Sequence, residues 1–172
     1  YETLRLDNNL KEFLDFNRLP PPKFEWVQLD EVLDSIVRLM RPDAQMKNAK
    51  IDTHFRKRLP MVKIDVSQFN LAISNLLINS IQAVSEKGEI HLFTRASKKN
   101  VFVAVQDNGK GIAKENLPKI FDFMFSTKPT GSGLGLSIVK KIISDHHGEI
   151  SVKSGVNKGS TFTIRIPLIR KG

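Results

Sequence analysis

The sequence predicts an α/β chain of the two-layer α+β sandwich kind, with one mixed, mostly antiparallel sheet and its helices packed on a single face. Two observations carry this. Stretches of 3.6-residue period are interleaved with strands that come in adjacent pairs, 89–96 with 101–106 and 150–154 with 161–167. A loop-rich stretch, residues 107–132, separates the pairs and is long enough to be functional or mobile.

Residues 1–17 set Leu6, Leu10, Phe13 and Leu14 on one stripe and read as a helix, which cannot bury that stripe without a partner. Pro20, Pro21 and Pro22 stop it, because proline lacks a donor and biases its predecessor to extended geometry; residues 19–23 are the linker. A short strand follows at 24–28. Asp30 is placed to cap a helix to about Met46, which Pro42 would kink or shorten. Residues 51–56 alternate as a strand. Asp65 and Gln68 form a capping pair for a helix reaching about Ser85. The strand pair 89–96 and 101–106 joins at 97–100. A helix over 134–147 stops at Gly148, and the last two strands turn at 157–159. Residues 1–23 are thus an appendage, and 24–172 the domain.

A chain of 172 residues, 40% hydrophobic and 26% charged, suits one globular domain with a sizeable core. No apolar run approaches the roughly 18–20 residues that span a bilayer. The absence of cysteine excludes disulfides and thiolate metal sites, and fits a reducing compartment. A net charge of +9 raises nucleic acid or an anionic membrane as partner. However, the Lys and Arg residues are scattered, and one Trp and one Tyr leave little to stack bases on. The charge reads as a solvated basic surface, which would also suit nucleotide phosphates or an acidic partner protein.

Three motifs carry chemistry. On the helix after Asp65, Phe69, Ile73, Leu76, Leu77, Ser80, Ile81 and Val84 form one face, with Gln68, Asn75, Asn79 and Gln82 opposite. A solvated face normally carries charges; this one is all neutral amides. An amide oxygen suits Mg²⁺, and its NH₂ can donate to phosphate. Second, Asp107 ends an apolar strand in Asp107-Asn108-Gly109-Lys110-Gly111, which should set its carboxylate at a sheet edge over a pocket floor. There it would accept from the amine of adenine and repel the carbonyl of guanine, while Gly109 and Gly111 let the backbone come close. Third, Gly131-Ser132-Gly133-Leu134-Gly135 leads into a helix whose first amides form an anion site. Leu136 stands where a dinucleotide fingerprint needs a third glycine, and no P-loop lysine follows.

In order and wording these motifs resemble the ATP-binding domain of sensor histidine kinases, within the superfamily of gyrase, Hsp90 and MutL, over residues 24–169. The resemblance implies that Asn79 binds Mg²⁺, that Asn75 and Gln82 lie near the phosphates, and that Asp107, Gly109, Gly111 and Ile112 form a first glycine box. Gly131, Ser132, Gly133, Leu134 and Gly135 would be the second. Between them, Phe121, Phe125 and Lys128 belong to a phenylalanine box and short ATP lid, with Phe121 and Phe125 partly buried and Lys128 reaching the β- or γ-phosphate. Phe123 and Met124 depart from the commoner Pro-Phe pair, and Gln82 stands where many sensor kinases have a basic residue. Thr161 matches a threonine near the adenine site.

The family phosphorylates a histidine followed by an acidic residue on a dimerisation helix. His54, His91, His146 and His147 are followed by Phe, Leu, His and Gly, so none fits, and residues 1–17 resemble the end of the second dimerisation helix. The chain is therefore expected to be part of a larger kinase. Its partners would be its own dimerisation and phosphoacceptor helices in a homodimer and a response regulator receiver domain, with neither nucleic acid nor membrane contact. Its cofactors would be ATP and Mg²⁺, and its location cytoplasmic, whether or not the parent is membrane-anchored. Hydrolytic members carry Glu four residues before the magnesium Asn; here that residue is Asn75, whose amide is a poor base near pH 7. The alternatives are an anti-sigma-type serine kinase, though that type also carries Glu there, and a regulatory ATP-binding module.

Overall fold

The computed structural model describes residues 19–128 and 131–169; the helix expected over 1–17 and Pro129 of the lid motif lie outside them. Strand β1 (Glu25–Val27) leads into helix α1 (Leu29–Met46), whose buried Leu29, Leu33, Ile36 and Val37 recur at helical spacing. Asp30 falls in the first turn of α1; Gln28 holds the cap position, without a side-chain bond. Pro42 lies inside the helix without ending it. So close to the C-terminus its missing N–H costs one bond, and the chain continues for a further turn.

Strand β2 (Lys50–His54) and the three-residue β3 (Val62–Ile64) come next. β3 pairs with β1 in a ribbon of its own and is too short to show a period in the sequence. Helix α2 (Val66–Ala83) starts as expected, with the Asp65 carboxylate accepting the Gln68 N–H at 2.9 Å. The Gln68 side chain does not complete a capping box. It is buried, and its amide donates to the Pro20 carbonyl at 2.7 Å because residues 19–23 cross the start of α2. The other carboxylate oxygen of Asp65 accepts the Lys23 N–H at 2.7 Å, so residues 19–23 are fastened to the same cap. Gln68 therefore leaves the amide stripe.

Strands β4 (Glu89–Ala96) and β5 (Asn100–Asp107), helix α3 (Gly135–Asp145), and strands β6 (Glu149–Ser154) and β7 (Ser160–Pro167) complete the domain. The five-stranded sheet has the order β2-β4-β5-β7-β6. β2 runs parallel to β4, since α2 crosses over between them, and every other pair is antiparallel. Helix α2 packs between α1 and α3 and lies over β4 and β5. Period-two alternation sends Ile90 and Leu92, Val101, Val103 and Val105, and Phe162, Ile164 and Ile166 to the helix side. There they meet the fully buried Phe69, Ile73, Leu76 and Leu77 of α2, each worth about 1.5–3 kcal/mol. The opposite face carries His91, Phe93 and Phe102, and no described helix covers it. The left-handed residue that ends α3 is His147, not Gly148. Gly148 is a glycine because a Cβ there would meet the Arg165 carbonyl and Ile143.

Candidate nucleotide site

The pattern that buries Val101, Val103 and Val105 continues to Asp107, so the last residue of β5 points its carboxylate under the helices. β5 is the middle strand of five, so this is a strand end rather than the sheet edge the sequence suggested. Asp107 is only 4% exposed. One oxygen accepts the Gly109 N–H at 2.9 Å, and the other faces the Ser80 hydroxyl at 3.4 Å. Burial raises its pKa above the ordinary carboxylate value, partly offset by the N–H groups of Gly109 and Ser160 and by Ser80. Gly109 packs so closely that a Cβ would lie 2.6 Å from the Ala83 backbone and 2.8 Å from this carboxylate. Gly111 adopts φ +68°, with the Gly155 carbonyl in the space a side chain would need.

Asp107 forms the floor of a cleft of about 380 Å³. One wall is the stripe of α2, with Asn75, Asn79 and Gln82 lining it. The Asn75 amide donates to the Leu71 carbonyl at 2.9 Å, and its oxygen lies 2.8 Å from where a Cβ on Gly135 would sit. Glycine at 135 thus lets the start of α3 approach the stripe. No side chain caps α3, so its first-turn N–H groups face the cleft without a built-in acceptor, the arrangement that binds anions. Gly131, Ser132, Gly133 and Gly135 line this end, whereas Leu134 is fully buried in the core and anchors the turn.

The other wall is the segment between the glycine motifs, whose described residues form turns and bends. Lys128 crosses from it to α2, where its ammonium donates to Gln82 Oε1 at 2.6 Å and Asn79 Oδ1 at 3.1 Å. Burial, then the charge of Lys110, lowers its pKa from the ordinary lysine value. Phe125 lines the cleft; Phe121 lies behind it, edge-on to Phe162 at 6.4 Å, and both are partly buried as expected. Ile112 lines the cleft, with its N–H donating to Ser154 Oγ at 2.8 Å.

Twelve of the sixteen residues singled out from the sequence line this one cleft; Gly109, Leu134 and Phe121 support it from behind, and Thr161 does neither. Thr161 faces the side of the sheet away from the helices, and its neighbour Ser160, opposite Asp107 in the register, lines the cleft instead. The inward alternation of Phe162, Ile164 and Ile166 carried that signal. Ile78, Asn116 and Ile120 also line the cleft, as does Lys110 of the first glycine motif, and no local pattern marks them as lining residues. None of the histidines lines the cleft. His146 is buried, with Nε2 accepting the Asp65 N–H at 2.9 Å and Nδ1 2.7 Å from the Ile142 carbonyl, so it serves packing.

Residues 64–170 match the family of histidine kinase-, DNA gyrase B- and HSP90-like ATPases. The chain is 33% identical over 167 residues to the sensor histidine kinase ZraS of Escherichia coli K12, covering 97% of this chain and 36% of ZraS. It spans about a third of the length of the curated relatives it matches. The catalytic domain of histidine kinase ThkA superposes with a TM-score of 0.77 at 32% identity, over 84% of this chain and 97% of that one. ThkA in complex with the response regulator TrrA superposes at 0.83 and 28% identity, over 98% of this chain and 48% of that one. Among the described residues no helix is long and apolar enough to cross a membrane. The chain therefore belongs to the histidine kinase-, gyrase B- and HSP90-like ATPases, as a nucleotide-binding catalytic domain of the sensor histidine kinase kind.

Proposed function

We propose that the cleft binds ATP with Mg²⁺ and presents the γ-phosphoryl group to a histidine on a dimerisation helix of the parent protein. From that histidine the group would pass to an aspartate of a response regulator receiver domain. Residues 1–23 would be the end of the second dimerisation helix and its linker, the parent a homodimer, and the domain cytoplasmic. The observation that carries the reading is the polarity of the cleft. A buried carboxylate stands at one end, and neutral amides, a lysine and an uncapped helix N-terminus at the other.

The base would lie over the floor, its exocyclic amine donating to Asp107, which selects adenine and takes no part in chemistry. The triphosphate would run toward α3, its oxygens meeting the N–H groups at Gly133–Gly135 and the Lys128 ammonium. Asn79 is suited to hold the metal: its oxygen points into the cleft and already accepts from a cation, that of Lys128. Mg²⁺ bound there supplies neutralisation of phosphate charge. Asn75 offers no base, so water in the cleft is not activated. The acceptor imidazole attacks the γ-phosphorus in line, the bond to the β–γ bridging oxygen breaks, and ADP leaves with the electron pair. Catalysis rests on positioning and charge. Asn79→Ala tests the reading. With a supplied acceptor hairpin it should lose Mg·ATP-dependent transfer while keeping its melting temperature; transfer at the wild-type rate would remove Asn79 as metal ligand.

A further inference from the structure

Gln82 and Asn79 stand three residues apart on one face of α2, and both side-chain oxygens converge on Lys128 Nζ, at 2.6 and 3.1 Å. The contact spans 46 residues of sequence from Gln82, so it ties a segment whose described residues hold neither helix nor strand to a rigid element. Local bonds aim it: the Lys128 N–H donates to Ser126 Oγ at 3.1 Å, and the Lys128 carbonyl accepts the Gly131 N–H at 3.2 Å. The ion pairs among the described residues involve Lys50, His91, Lys141 and Arg165, so Lys128 rests on amide dipoles and its charge is not cancelled. A carboxylate at 82 would hold it more firmly and cancel that charge. A neutral amide holds it and leaves the charge for an anion.

We propose that Gln82 is a positioning residue whose amide oxygen docks the Lys128 ammonium beside Asn79. The cation that meets the terminal phosphate is then carried by the segment of Lys128 and not by α2 itself. The inference rests on the nucleotide reading above. Because the tip of Gln82 and the tip of Lys128 meet at one point, a lysine placed at 82 would put the same charge in the same place.

The test titrates the 172-residue chain with Mg·ATP and Mg·ADP and compares the two affinities in Gln82→Glu, Lys128→Gln and the exchange Gln82→Lys/Lys128→Gln. Lys128→Gln should cut the preference for ATP over ADP by about tenfold, the worth of one hydrogen bond to a charged group. Gln82→Glu should also cut it, although the contact to Lys128 becomes stronger; a merely structural role predicts no such loss. The exchange should return most of the preference. An exchange variant no better than Lys128→Gln at wild-type melting temperature, or Gln82→Glu with wild-type preference, would overturn the dock while leaving the nucleotide reading intact. A wild-type chain that binds neither nucleotide would overturn that reading, and the dock with it.

Discussion

Replacing Asp107 by Asn keeps the shape of the cleft floor and removes its charge. The oxygen that accepts the Gly109 N–H can remain, and the new NH₂ can face Ser80 Oγ, a hydroxyl able to turn and accept. The bonds to Gly109 and Ser80 are therefore kept. The fold also sheds a carboxylate whose burial opposes ionisation, so the melting temperature should hold or rise. Binding should suffer. A hydrogen bond to a charged group contributes about 1.5–3 kcal/mol and a neutral one about 0.5–1.5, so ATP affinity should drop by 1–2 kcal/mol, roughly 5- to 30-fold. The ratio of ATP to GTP affinity should shrink further, because an amide can donate to the guanine carbonyl that a carboxylate repels. Protonation should mimic the substitution. The folded pKa of Asp107 is raised, so ATP binding weakens as pH falls through that raised value, earlier than an ordinary aspartate near 3.9 would allow. The same shift favours folding as pH falls, a contribution lost as pH rises through the folded value. Asn at 107 should abolish the acid limb of binding. Calorimetric titration with both nucleotides across pH decides it: wild-type affinity, base preference and acid limb in Asp107→Asn would refute base recognition by this residue.

Lys128 gives an alkaline limb. Its pKa is lowered, so charge and affinity for ATP should fall below the pH at which ordinary lysines titrate, and Lys128→Gln should flatten that limb in the same titration. Gly135→Ala forces a Cβ against Asn75 Oδ1, 2.8 Å away, so nucleotide affinity should fall by an order of magnitude or more, about 1.4 kcal/mol, with little change in melting. Asp65→Ala removes the α2 cap and the Lys23 anchor together and should cost about 1–2 kcal/mol of stability by denaturant unfolding. Burial raises the pKa of Asp65, but the Gln68 and Lys23 N–H groups and His146 outweigh it and leave it lowered. Its contribution is therefore present above the ordinary carboxylate value and lost as pH falls through the folded one.

The parts legible in the sequence are those written in local periodicity. The buried face of α2, from Phe69 to Ile81, follows from 3.6-residue spacing, and the inward run through Val105 to Asp107 from alternation. What escaped depends on distant segments. Gln68 fits the stripe by spacing, yet the chain at Pro20 covers it and turns it into an anchor. β3 exists because β1 lies beside it, and three residues carry no period. Thr161 rests on likeness to a wider superfamily alone, whereas the alternation of Phe162 and Ile164 points to Ser160. That Lys128 reaches across to Gln82 follows from no local pattern, since the loop between them has no repeat to read.

The central claim is that the cleft holds ATP for an external histidine. The most direct measurement follows the γ-phosphate of labelled ATP with the chain alone and with the helical hairpin carrying the acceptor. The account predicts that the chain alone binds ATP, stays unlabelled and forms ADP slowly, and that the hairpin acquires phosphate that is acid-labile and alkali-stable. Strong labelling of the chain at His54, His91, His146 or His147, or rapid ADP formation without the hairpin, would contradict it.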